Sequence, residues 1–466
     1  MEVIIVGGCL LCSRCRLRDY HYVNDRGDYL LLAHVPMSRK NSGTDMAIMT
    51  SKGDMMKRIK RAVFLTLLLA VGVAAMITVG YAQNEKTNNE SMPLPAPVFL
   101  GGTKAITLTP VVGTPQREYA ERFIPGEERL EDGEIRVTVL GSGNPWVTRA
   151  QAAASILVEV GNAERDILVF DLGSGSLANY ASLKLPVNKL NKVFLTHLHA
   201  DHMGDLLTLV GSYAKVGRAD GPVYLWGPSG TEPRLGTKHF AESIDEALAW
   251  DTAATSGPIN PESMKIVVSE FDFRKTHVVY EKNGVKVTAF PVVHSLSGAV
   301  GYRLDFSGLS FVFSGDTLAA WPLVKASKGG VDLLIHECFP PAAALAAASG
   351  LSIEQATITL NAIHTSPKAA GKVFRLVKPR MAGLYHTLLS AEVIPLIDSE
   401  LRTVYDGPVV QTQDLTVFNI TKKAVVARQA KVSDQLPPTP GKPSMAYKPI
   451  QPTRPAWWAD ELIPVD

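Results

Sequence analysis

Residues 196–205 read THLHADHMGD, which puts three histidines and an aspartate within six positions, His197 to His202. Neutral imidazole nitrogens and carboxylate oxygens are the ligands Zn²⁺ prefers outside thiolate sites. If His197 and His199 leave a strand, alternation turns both to one side. Asp201 and His202 then sit at a helix start and reach a second point close by. Three thiols also cluster, Cys9, Cys12 and Cys15 in CLLCSRC, but no fourth ligand follows at a recognisable spacing and a closed thiolate site needs about four.

The elements that must hold these groups are readable as alternation. A compact domain is expected to begin at GEIRVTVLGSGNPW, 133–146, where an alternating run meets a glycine turn. Further strand-like runs include SILVEVG, DILVFDLG, KVFLTH, GPVYLWG, GVKVTAFPVVH, GYRLDF, LSFVFSGDT, VDLLIHE and MAGLYH. Helical patterns fall between them at 203–216, 354–363 and 366–376. Chemistry-bearing residues lie just past strand ends: His197, His294, Asp316, Glu337 and His386. Loops held by rigid strands are the usual place for them.

The chain has 466 residues, a formal charge of +2 and 46% apolar residues, a globular composition with no general attraction for nucleic acid. From Met55 a basic head (Lys57, Arg58, Lys60, Arg61) runs into an apolar stretch from Ala62 to Val79, then Gly80-Tyr81-Ala82. That is the pattern of a secretory signal over 55–82, cleaved after Ala82, or of an uncleaved membrane anchor. Either places the remainder outside the cytoplasm, periplasmic or secreted. A signal opens a chain, so the true start is expected at Met55 or Met56, with 1–54 a mistaken or disordered extension. Past the signal only Cys338 remains, which excludes an internal disulfide. Residues 83–132 read as linker and approach segment, 133–425 as the domain, and 426–466 as a proline-rich tail with Trp457 and Trp458 expected to hook it onto the domain.

THLHADHMGD resembles the signature of the metallo-β-lactamase superfamily, and the resemblance runs over roughly 133–425. VVHSLSGAVGYRL, FSGDT and GLYHT are similar to its later motifs. The resemblance implies an α/β fold of the αββα sandwich type. It implies one metal on His197, His199 and His294, a second on Asp201, His202 and His386, and Asp316 bridging them. Seven N/O ligands with a bridging carboxylate suit two Zn²⁺, and Mn or Fe fit the same donors. Asp316 stands where the best-known β-lactamase branch has cysteine. IHTSPKAAG, LLIHECF and VLGSGNPWVTRAQAAASILVEVG resemble the ribonuclease Z and arylsulfatase side. RFIPGEERLEDGEIRVTVLGSGNPW is similar to guanitoxin-biosynthesis-type hydrolases of this fold.

Through IHTSPKAAG the resemblance implies that His364 assists leaving-group departure as an acid or hydrogen-bond donor. Glu337 is expected to orient a histidine or a metal-bound water, or to be no more than a charged strand end. With Asp201, these two are the expected catalytic residues. A bridged metal pair makes hydroxide near neutral pH, so the reaction class is hydrolysis. The expected substrate is a small-molecule ester, phosphate or sulfate, with no nucleic acid, membrane contact only through an anchor, and a homo-oligomer allowed. Export argues against tRNA, and so does the insert at about 228–284. Gly227 to Gly284 hold 6 Lys or Arg against 9 Asp or Glu, where a basic RNA-holding arm would stand. The insert's FAESIDEALAWDT reads as an amphipathic helix bearing Phe240, Ile244, Leu248 and Trp250, a lid or dimer surface. The alternatives are a ribonuclease Z-like phosphodiesterase and a non-catalytic metal- or partner-binding protein on the same scaffold.

Overall fold

Several of the alternating runs become strands buried on both faces. In Ile135–Gly141 every residue is buried. Its Ile135, Val137 and Val139 enter one apolar core while Leu140 enters another. A strand between two cores needs apolar residues on both sides, which blurs simple alternation. The computed structural model describes residues 20–23, 29–32, 98–99, 110–146, 148–218, 221–255, 259–440, 454–458 and 462–463. The chain divides into two compact units, Met1–Ser91 and Met92–Asp466. In the first, Tyr20–Val23 pairs antiparallel with Tyr29–Leu32. The CLLCSRC run and the signal or anchor at 55–82 lie outside the described residues. Among the described residues no helix is long and apolar enough to cross a membrane.

The second unit holds two sheets. Among the described residues one has ten strands and the other eight. In the larger sheet Ile167–Phe170, Lys192–Phe194, Val223–Pro228 and Ile266–Phe271 run parallel in that order. In the smaller sheet Leu309–Phe313, Leu333–Glu337, Met381–Tyr385 and Val409–Gln411 do the same. The faces of the two sheets meet in a core containing Phe170 and Phe194 from one and Tyr302, Phe311 and Phe313 from the other. The outer face of the larger sheet packs under helices Leu206–Lys215 and Thr237–Ala247. Helices Pro367–Val377 and Val393–Arg402 cover the smaller one. The layers are therefore αββα, the α/β class expected.

Local chemistry sets the helix bounds. Ser366 caps Pro367–Val377 by accepting from the Ala369 N–H, with Pro367 in the first turn, and Ala370, Val373 and Phe374 form its buried stripe. The helix expected over 203–216 is two pieces, Ala200–Met203 and Leu206–Lys215. The break comes at Gly204-Asp205, where the Asp205 N–H donates to the Leu172 carbonyl at 3.0 Å instead of to the preceding helical turn.

The larger sheet also extends past the bounds expected from sequence. Val111–Gly113 and Arg122–Phe123 both pair with Ala424–Ala430. Such short strands carry no readable period, and ion pairs beside them add to the strand pairing. Glu128 accepts from Arg117 at 3.2 Å, Arg136 at 3.2 Å and Arg428 at 2.9 Å. Trp457 is 61% exposed, so it does not hook the tail to the domain.

Candidate active site

The parallel strands of both sheets deliver their carboxyl ends to one region. Lys192–Phe194 leads to His197 and His199, and the helix Ala200–Met203 carries Asp201 and His202. From the smaller sheet come His294 after Val285–Pro291, Asp316 after Leu309–Phe313 and His386 after Met381–Tyr385. His386 has φ 60°, a conformation unfavourable for a residue with a Cβ. Its N–H donates to the Ser142 carbonyl at 2.8 Å, which pins the turn. Gly315, at φ 57°, lets the chain pass Thr196, where a Cβ would come within 2.8 Å of the threonine side chain.

Seven side chains converge in two groups. Ligand atoms of His197, His199, His294 and Asp316 lie within 4.8 Å of one another, as do those of Asp201, His202 and His386. Asp316 stands between the groups, Oδ1 at 3.4 Å from His202 Nε2 and Oδ2 at 3.5 Å from His386 Nε2. The donor chemistry fits cations. His197 Nε2, His202 Nε2 and Asp316 Oδ1 are buried with no hydrogen-bond partner. His294 Nδ1 donates to the Ile363 carbonyl at 2.9 Å, so its Nε2 lone pair faces His199 Nδ1 at 3.3 Å. Two imidazole nitrogens aimed at each other need a positive centre between them or a shared proton.

The electrostatics give the same answer. Burial lowers His197 and His199, and brings His294 down to about 4, favouring the neutral rings that bind metal. Burial opposes ionisation of Asp316, yet His386 and His202 hold its carboxyl well below the usual range. His202 goes the other way: against burial, Asp316 and Asp171 hold it well above its ordinary value. A site so rich in buried carboxylate demands positive charge, from a proton or a metal.

Glu337 and His364 form a separate pair beside Asp316. Glu337 is fully buried, and its Oε1 accepts the Thr317 N–H at 2.6 Å. Its Oε2 holds His364 Nδ1 at 3.0 Å. The His364 ring stacks on Phe339 with centroids 3.8 Å apart. Of the two expectations for Glu337, the geometry is that of a group orienting a histidine. Glu337 and, more weakly, Asp316 raise His364 above its usual value against the effect of burial.

A family model for the Beta-lactamase superfamily domain matches residues 169–387. Ribonuclease Z of Mycobacterium marinum is 30% identical over 207 residues, 43% of this chain and 70% of the relative. The chain belongs to the β-lactamase superfamily. It is a metallohydrolase of the metallo-β-lactamase fold. Ribonuclease Z of Mycolicibacterium gilvum is 29% identical over 208 residues, 43% of this chain and 68% of the relative. The crystal structure of the short form of human tRNase Z aligns over 61% of this chain and 98% of its own at 19% identity, with a TM-score of 0.45.

These relatives overturn one expectation. A small-molecule ester partner with no nucleic acid does not stand beside superfamily members named as ribonucleases. The inference from charge failed for a physical reason. A net −3 insert excludes a basic gripping arm, but a metal centre can itself meet a phosphate's charge at the point of reaction.

Sequence reasoning missed several supports of this superfamily site. Asp171 is fully buried just past Ile167–Phe170, accepting from Thr196 N at 2.7 Å and holding His202 Nδ1 at 2.8 Å. The strand-end rule applied to DILVFDLG would have found it. Asp414 had no such signal. It takes N–H groups of Ser142 at 2.9 Å and Ala152 at 2.7 Å, and so braces the turn that holds His386. His239, on the helix Thr237–Ala247, lines a cavity of about 350 Å³ shared with His197, His199 and His294. Trp250, read as part of the insert's apolar face, is 81% exposed and absent from that wall. The helix Thr237–Ala247 ends at Leu248, and the next, Ala249–Ala254, turns Trp250 outward.

Proposed function

We propose that this hydrolase is a dinuclear metal-dependent phosphodiesterase acting on RNA. The observation that carries it is Asp316 standing within 3.5 Å of ring nitrogens of His202 and His386 while sharing a ligand cluster with His197, His199 and His294. One carboxylate between two sets of N/O donors is the arrangement for a metal pair, for which Zn²⁺ is the reading the donors favour. When bound, such a pair supplies Lewis acidity and a water nucleophile activated near neutral pH. RNA as substrate is supported by the ribonuclease Z relatives.

The protein's own groups do the rest. His197, His199 and His294 would hold one cation, and Asp201, His202 and His386 the other. Asp171 keeps a His202 proton on Nδ1, which would leave Nε2 free to hold a cation. Glu337 fixes His364 through Nδ1 and, with Asp316, raises it above its ordinary value against burial, which favours the protonated ring. His364 Nε2–H is then the donor to the departing oxygen. The basic head and apolar run at 57–79 support export, so the RNA would be met outside the cytoplasm.

The test is metal analysis followed by assay of oligoribonucleotides, a phosphomonoester and an aryl sulfate. Two metals per chain and cleavage of the diester are expected, with Asp201→Asn abolishing turnover. A fully metal-loaded protein that leaves every phosphodiester intact would sink the reading.

A further inference from the structure

The cavity beside His199 and His294 has a wall that the catalytic groups do not supply. The insert lends it Leu235 and Phe240, and the loop after His294 lends Leu296. Its lining is mainly apolar, and about 350 Å³ is the scale of one small ring system with its sugar. A duplex cannot enter such a space; an unstacked base can. Phe240 is half-buried and packed against the helix-covered core, which gives it a fixed ring face. His239 and Ser243, one helical turn apart on the same helix, add polar edges to the wall. Arg234 joins that wall with its side chain 71% exposed, the one arginine among the lining residues.

We propose that this pocket takes a single unstacked nucleobase next to the scissile phosphodiester, so that the enzyme selects single-stranded RNA and rejects duplex. The inference rests on the phosphodiesterase reading above and names its substrate class. Three features support it. The pocket shares His197, His199 and His294 with one metal cluster, so its occupant adjoins the reacting bond. Stacking of a base on an aromatic ring tolerates any sequence and is a main source of single-strand affinity. The acidic insert repels a long tract of backbone, which leaves recognition to one nucleotide at the metal centre.

Binding and cleavage are measured together. The probes are a nine-nucleotide oligoribonucleotide, its blunt duplex, and a set in which each base in turn is removed. Binding is read by fluorescence anisotropy with full-length Asp201→Asn protein, and cleavage with wild type. Expected is at least tenfold weaker binding of the duplex, and a tenfold loss when the base beside the cleaved bond is removed. Ser243→Trp, at an exposed helix position, fills the pocket and should erase the difference between the intact and abasic probes. Phe240→Ala should shrink it, with circular dichroism and metal content checking the fold. Equal binding of duplex and single strand, base removal felt nowhere, or an unchanged Ser243→Trp profile would each overturn the pocket assignment. Failure of the phosphodiesterase reading shows differently, as no product from any probe with wild type, and the binding arm still reports on the pocket.

Discussion

His364 depends on a carboxylate that is itself held by a backbone N–H. Removing the ring removes the proposed proton donor and leaves every proposed metal ligand in place. His364→Ala is expected to lower kcat about 10²- to 10⁴-fold with two metals per chain retained, checked by steady-state kinetics and elemental analysis. Loss of metal in that variant would instead make His364 a ligand, consistent with its lying within 4.8 Å of His294, Asp316 and Glu337. Asp171 acts one step further back, through the His202 ring. Asp171→Asn keeps the shape but loses the charge that fixes the tautomer. Metal affinity should fall about 10- to 100-fold by competition with a chelating dye.

The approach segment is held to its sheet by ion pairs as well as by strand pairing. Arg428 is 1% exposed and depends on Glu128 and Asn419. Burial pushes the Glu128 carboxyl up, but Arg428, Arg136 and Arg117 hold it below its ordinary value. Its stabilisation is therefore complete above the unfolded-state value of about 4.3 and is lost as pH falls through the lower folded-state value. Glu128→Gln is expected to cost roughly 3 kcal/mol at pH 7, because it leaves buried guanidinium groups short of charge. It should also flatten the acid side of the stability curve, as read from urea unfolding at pH 3 to 7. This same region shows where sequence reading stops. His197, His294, Asp316 and His386 were legible because each follows a strand whose alternation announces it. Asp414 was not, because its meaning lies in a contact with Ser142, 272 residues away. Trp250 misled because a helix break at Leu248 changes which face is buried, and no residue there signals a break.

The second unit was legible as layers, since apolar runs on both faces require two coverings. What it acts on was not, because net charge reports on distant attraction, whereas the proposed recognition would lie at the metal centre and one pocket. The layered build has a further consequence. Four of the proposed ligands hang from the larger sheet and three from the smaller. The cations would thus act as a calliper, closing only when the sheets stand at the right separation. That separation is set by rings such as Phe311, which meets Phe170 across the interface at 6.1 Å. Phe311→Leu and Phe374→Leu should each cost on the order of 1–2 kcal/mol of stability. Only the first thins the space between the sheets; Phe374 packs on the outer face. Metal affinity, measured by competition, is expected to drop for Phe311→Leu and to hold for Phe374→Leu. Equal effects would show that the centre is indifferent to sheet spacing. If the calliper holds, the core of this enzyme is under selection for a distance as well as for stability, and changes far from any ligand can retune which metal it keeps.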